Sequence, residues 1–329
     1  MTDTLSDVLR AVRLQGAVFF SVEASTPWVS EAADPDNIAP HIGPGVEHVI
    51  PYHVVTEGSC WGGILGEPAI ELHAGDIIVF PQGDAHALSS GQGMRGEKAT
   101  LPKPGTPLRL PVPVSLNGGG AERTHLICGF LGCDARPFNP LLGSLPRVIH
   151  LRGSDHDGRI LRPIVEIALS ESTAMSSGGD AVLARLSELL FVEVVRRHVA
   201  RLPPENVGWL AGLRDEHIGR ALQRLHAQPA HPWSLDDLAK ECGVSRSVLA
   251  ERFMRLVGLP PMQYLADWRM QLAASLLRST TASLAEIAER VGYGSETALS
   301  HAFKRRLGVA PAPYRRGEPI AARALTSSA

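Results

Sequence analysis

The stretch Gly75–Leu88 reads GDIIVFPQGDAHAL. A glycine, five residues, Pro-x-Gly, two residues and then His86 is a spacing that often marks a metal-dependent pocket. Three other side chains are of the right type to join it: His53 in YHVV, Cys60 in EGSCW and Cys128 in THLICGF. Two thiolates with one or two imidazoles make a tetrahedral set for zinc or another borderline-soft divalent metal. The same four residues suit a small-ligand cavity, a thiol redox sensor, or simply a buried core.

Strands must position them. Residues 14–134 are rich in β-branched residues, glycine and proline, with short apolar runs (GAVFFSV, YHVV, DIIVFP, THLICGFL) separated by turn signals. That texture predicts an all-β barrel or sandwich. Residues 91–123, from GQGMRGEKATLPKPGTP to NGGGAER, read as a long loop. Within YHVV, His53 shares a strand face with Pro51, toward the barrel interior. Beyond Leu151 two amphipathic helices are expected over 159–172 and 180–201. Their apolar stripes are Ile160, Ile164, Ile167 and Ala168, then Leu183, Leu186, Leu190 and Val194, with Asp180 as an N-cap. Such helices would cover the barrel or pair with another chain. RLPPENVG reads as the start of a linker over 202–213.

From Arg214 the chain is helical and nearly repeats itself. Ser234, Leu235, Leu238, Ala239 and Gly243 recur 49 residues later as Ser283, Leu284, Ile287, Ala288 and Gly292. Phe253, Gly258, Pro261 and Tyr264 recur 50 residues later as Phe303, Gly308, Pro311 and Tyr314, with Gly294 the extra residue. Each copy is a capped short helix, a glycine turn and a second helix opened by a serine, Ser245 or Ser295. That is a helix-turn-helix, twice, over about 234–257 and 283–307. Val248, Leu249, Phe253 and Leu256 are expected to face the core in the first copy, and Leu299, Ala302 and Phe303 in the second. The helix PMQYLADWRMQLAASLLR between them would hold two reading helices about one DNA turn apart.

Charge agrees with an anionic partner at this end. Of 329 residues, 214–329 hold 16 Lys and Arg against 11 Asp and Glu, whereas 1–213 hold 16 against 23. No apolar run reaches the roughly 18 residues of a membrane span. With no secretory signal at the N-terminus and four cysteines, too few for a disulfide framework, a cytoplasmic protein is expected.

The run SLDDLAKECGVSRSVLAERFMRLVGLPPMQYLADWRMQLAASLL, with SLAEIAERVGYGSETALSHAFKRRLGVAPAPYR, resembles the DNA-binding domain of the AraC/XylS regulators. The resemblance implies promoter DNA as partner, with RNA polymerase, and base-reading positions at Ser247, Ala250 and Glu251, then Glu296, Thr297, Ser300 and His301. Arg246, Arg255, Lys304 and Arg305 flank them on the outward faces. GDIIVFPQGDAHAL in turn resembles the second cupin motif. The first motif's glutamate position, set by Gly58, falls on Pro51, and His41 and His48 lack its His-x-His spacing. The usual cupin ligand set is therefore broken. A multidomain protein is expected: a cupin barrel with trailing helices over 1–201 as effector and dimerisation domain, a DNA-binding domain over 214–316, and a tail over 317–329. Its expected role is a homodimeric transcription activator sensing a small molecule, metal or redox signal; the alternative is a metal-dependent cupin enzyme carrying a DNA-binding domain.

Overall fold

The computed structural model describes residues 3–43, 45–100, 110–155, 161–174, 177–203 and 205–317. Ile160, Arg159, residues 101–109 of the expected loop and the tail from 318 onward lie outside them. The chain divides into two units, one of Leu14–Asp134 with Leu145–Arg201, the other of Met1–Arg13, Ala135–Ser144 and the part from Leu202 onward. This departs from a simple N-to-C division: the first helix, α1 (Thr4–Ala11), and a segment between two barrel strands belong with the C-terminal half.

Among the described residues the first unit is built on ten strands. They are β1 (Gln15–Ser25), β2 (Val29–Glu31), β3 (His48–Glu57), β4 (Ser59–Ile64), β5 (Ile70–His73), β6 (Ile77–Val79), β7 (His86–Ser89), β8 (Val112–Asn117), β9 (Arg123–Cys133) and β10 (Ile149–Leu151). A six-stranded sheet runs β10-β6-β3-β9-β1-β8, and a four-stranded sheet runs β2-β7-β4-β5. All pairings are antiparallel except β1 with β8. Side chains from both inner faces, among them Val22, Val55, Ile64, Leu72, Leu88 and Leu126, form one core. Removing each such side chain from water is worth about 1.5–3 kcal/mol.

Glycines mark two places where a side chain has no room. Gly83 of the opening motif sits at φ +72°, and a Cβ there would lie 2.9 Å from the carbonyl of Val49. Gly129 on β9 lies under the ring of Tyr52, so an added Cβ would meet its Oη at 2.2 Å. Tyr52 points to the outer face of the sheet, where its hydroxyl shares a 2.7 Å hydrogen bond with Ser187. That serine belongs to α4 (Gly179–Arg201), which packs with α3 (Leu161–Ala174). The two helices cover the barrel, one of the two expected outcomes. Asp180 lies in the first turn of α4 rather than at its cap. Ile164, Ala168, Leu183, Leu190 and Val194 are buried, but Ile167 is 47% exposed and does not join the stripe.

β8 was not expected, since it falls inside the stretch read as a loop. Its residues alternate half-buried and exposed, and it lies at the edge of the six-stranded sheet. An edge tolerates Pro113, which a central strand would not.

The second unit is helical. After α2 (Pro35–Ile42) of the first unit and the helices above come α5 (Trp209–Arg214), α6 (Glu216–Ala227), α7 (Leu235–Cys242), α8 (Arg246–Val257), α9 (Pro261–Ser279), α10 (Leu284–Arg290), α11 (Glu296–Leu307) and α12 (Pro311–Arg315). The stretch expected as linker contains α5, whose Trp209 is buried and donates from Nε1 to the hydroxyl of Tyr264 at 2.7 Å. Tyr264 in turn shares a 2.8 Å hydrogen bond with Nε2 of the buried His226. On α9, the fully buried Gln271 donates to the carbonyl of Ala11 at 3.0 Å and accepts from the N–H of Phe138 at 3.1 Å. One side chain thus fastens both excursions of the chain to the helix between the two repeats.

Candidate effector cavity and nucleic-acid interface

Inside the first unit a cavity of about 390 Å³ opens between the sheets. Phe20, Trp28, Leu88, Val114, Leu126 and Phe130 belong to its apolar wall, with Ser30, His53, His86, Glu97, Thr100 and Cys128 as polar members. Alternation explains the placing. His53 on β3 pairs with Cys128 on β9, so both project from the same inward face. His86 opens β7 in the opposite sheet and meets His53 across the gap, with the two Nε2 atoms 2.8 Å apart.

The proton positions in this pair follow from its neighbours. Nδ1 of His86 lies 2.7 Å from the carbonyl oxygen of Asp84, which can only accept. Nδ1 therefore carries the proton, Nε2 of neutral His86 accepts, and Nε2–H of His53 donates. That leaves the Nδ1 lone pair of His53, which is buried and has no partner among the described residues. Burial, opposed by the hydrogen bond to Asp84 and its charge, holds the His86 imidazole down at about 4. Burial and the facing His86 hold His53 well below its ordinary value. Both rings are neutral at pH 7. Phe80 stacks on His86 with centroids 3.9 Å apart and fixes its plane.

The thiols behave differently from the sequence expectation. Cys60 pairs across β4 and β5 with Leu72, and both it and Cys128 sit in the apolar core. Burial, with the charge of Asp76, pushes the Cys60 thiol up to about 12, and burial with the nearby Cys60 pushes Cys128 higher still. They are protonated thiols at pH 7 and poor nucleophiles. The expected zinc set of Cys60, His86 and Cys128 with His53 does not assemble: among the described residues no group of three or more His, Cys, Asp or Glu is arranged to hold a metal ion. The cavity brings together His53, His86 and Cys128, and leaves Cys60 off its wall.

The second unit carries the repeat as expected. Ser234 caps α7 by accepting from the N–H of Asp237 at 3.1 Å, and Gly243 ends it in the left-handed region. Ser245 caps α8, and Ser283 with Glu286 forms a reciprocal capping box on α10. Ser295 caps α11 by accepting from the N–H of Ala298 at 3.1 Å. Leu249, Phe253 and Leu256 bury one face of α8, and Leu299, Phe303 and Leu307 that of α11. Arg246, Ser247, Glu251 and Arg255 are exposed on α8, with Ala250 half-buried. On α11, Glu296, Thr297, His301, Lys304 and Arg305 are exposed and Ser300 is half-buried.

Val248 departs from its expected place in the core and is 44% exposed. One residue before Leu249 is a rotation of about 100° around the helix, enough to leave the buried stripe. Its counterpart in the second copy, Ala298, is exposed as well. Met254, 47% exposed, adds a second apolar side chain to the outward surface of α8. The outward faces of these two helices are thus unlike: α11 presents Glu296, Lys304 and Arg305, while α8 presents Arg246, Glu251 and Arg255 beside the apolar Val248 and Met254. Arg306 is drawn aside by Asp267, 2.7 Å away.

Comparison with known proteins agrees with this construction. Residues 3–200 match a family described as Cupin, and residues 238–317 one described as Helix-turn-helix domain. A Streptomyces lividans protein named as an AraC-like transcription regulator is 32% identical, over 95% of this chain and 98% of its own. The chain belongs to the AraC-like family of transcription regulators. Another relative, the HTH-type transcriptional regulator AlkR of Acinetobacter baylyi, is 28% identical over 95% of this chain and 99% of its own. Among solved structures, the DNA-binding domain of AdpA in complex with a target DNA is 30% identical; it covers 31% of this chain and 92% of that one, at a TM-score of 0.30. No helix among the described residues is long and apolar enough to cross a membrane.

Sequence reasoning placed His53 and His86 inside the barrel and found the two capped helices α8 and α11, and missed much of the cavity wall. Phe20, Trp28 and Val114 lie far apart in sequence and in runs that read as ordinary strand or loop. Only the pairing of β1 with β8 brings Val114 beside Phe20 and Val22.

Proposed function

We propose that this AraC-like chain binds promoter DNA through α8 and α11, and that a small molecule in the barrel cavity sets how strongly it does so. The observation that carries the proposal is the joint presence, on one chain, of two capped reading helices and an apolar-walled cavity with two neutral imidazoles. The regulator acts as an activator in the cytoplasm, with RNA polymerase as its partner at the promoter. It works as a homodimer; Ile167, Val182 and Leu189 stand exposed on α3 and α4, where a second copy would cover them. A metal-dependent enzyme would need a ligand group that the described residues do not assemble.

The test uses a reporter driven by a duplex selected from random DNA by the purified chain. The wild type is expected to respond to at least one compound of a small-molecule library. Val114→Phe and Ala32→Leu, which fill the cavity from two sides, are expected to shift the duplex in a gel as wild type does and to respond to none. Variants that respond like the wild type would overturn the proposal.

A further inference from the structure

Accepting the cavity as an effector site, its wall also narrows the ligand. We infer that it takes a neutral, mostly apolar molecule bearing a single hydroxyl-type group, and discriminates against anions such as carboxylates and phosphates.

Charge is the first argument. Among the described residues no lysine or arginine lines the cavity, and the one formally charged side chain on its wall is that of Glu97. The guanidinium of Arg95, two residues from Glu97 in sequence, is held at 2.6 Å by Glu31 and is not part of the wall. The two imidazoles share a single proton between their Nε2 atoms, so they do not present a pair of cations. An anion entering here would lose its hydration and gain no countercharge, which is costly in an apolar surround.

Unused hydrogen-bonding capacity is the second. Trp28 and His53 both line the cavity and are 4% and 6% exposed. Nε1–H of Trp28 and Nδ1 of His53 are buried without a partner among the described residues. One needs an acceptor and, from the proton assignment above, the other needs a donor. A hydroxyl is both. Buried polar atoms of native proteins are nearly always paired, and the exceptions call for an explanation.

Size is the third. At about 30 Å³ for each water-sized unit, 390 Å³ holds roughly a dozen of them. A medium-chain alcohol fits that space and a disaccharide-like polar ligand does not suit its wall.

Calorimetric titration of the full chain at pH 7.5 tests this with three probes of equal chain length: 1-octanol, octanoate and methyl octyl ether. Expected is saturable binding of 1-octanol at one site, with octanoate weaker by about tenfold or more, a gap of about 1.4 kcal/mol. The ether accepts but cannot donate, and is expected between the two. Val114→Phe and Ala32→Leu should each abolish 1-octanol binding, and Glu97→Gln should narrow the gap to octanoate. Octanoate binding as tightly as 1-octanol would overturn the ligand class while leaving the cavity an effector site. No saturable binding of any probe would overturn both.

Discussion

Replacing Gln271 by leucine should loosen the second unit by an amount the structure allows to be worked out. Leucine keeps most of the volume of a side chain that is fully buried and removes both of its hydrogen bonds. The Ala11 carbonyl belongs to the last turn of α1, whose carbonyls have no intrahelical acceptor role to fall back on. Orphaning a buried polar group costs about 1–3 kcal/mol, and two groups are orphaned. The N–H of Phe138 is only part-buried, so water recovers some of its share and about 2–4 kcal/mol is expected in total. Urea unfolding should show a lower midpoint at unchanged slope. Amide exchange should accelerate in α1 and around Phe138 while α10 and α11 remain as protected as before. A change below about 0.5 kcal/mol, the range of an ordinary surface substitution, with unaltered exchange would refute the reasoning.

Three further outcomes are expected. Gly129→Ala drives a methyl into the Tyr52 ring, where overpacking costs about 1–3 kcal/mol, and should lower the melting temperature of the barrel; an unchanged melting temperature contradicts the packing described. His86 is neutral when folded, with its pKa at about 4, whereas the unfolded chain takes up a proton near 6.5. The unfolded state therefore binds more protons between those values, so stability is present above about pH 6.5 and falls as pH drops toward 4. Denaturation midpoints of wild type and His86→Gln across that range should diverge, with the smaller slope in the glutamine variant, which keeps a donor and an acceptor without titrating. On DNA, Glu251→Ala should relax base preference at one position by about 1–3 kcal/mol. Lys304→Ala should instead weaken all sequences alike and reduce the salt slope by about 0.9; competition and salt titrations separate the two effects.

The DNA-binding half was legible because its signals are local. Serine caps, glycine stops at Gly243, Gly258 and Gly308, and the repeated Phe, Pro and Tyr fix each helix within a dozen residues. Val248 misled because a lone valine beside a leucine carries no phase of its own. The barrel was legible as strands, and His53 as inward, because alternation is a property of the strand itself. What joins strands is not local: β8 beside β1, and His86 against His53, depend on pairings across the whole sheet. For the same reason nothing in TLSDVLRA or ARPFNP announced that α1 and residues 135–144 dock on α9 through Gln271. The metal expectation failed on packing, since residue type placed the thiols near the site and the apolar core took them as hydrophobes.

Selection of binding sites from a random duplex library by the purified full chain tests the account most directly. Helix α9 spans 19 residues, roughly 28 Å at 1.5 Å each, and separates two reading helices whose outward faces differ. The expected motif has two unlike blocks whose centres lie about 10 bp apart on one face of the duplex. Enrichment of a single block, or of no sequence above non-specific binding, would contradict it.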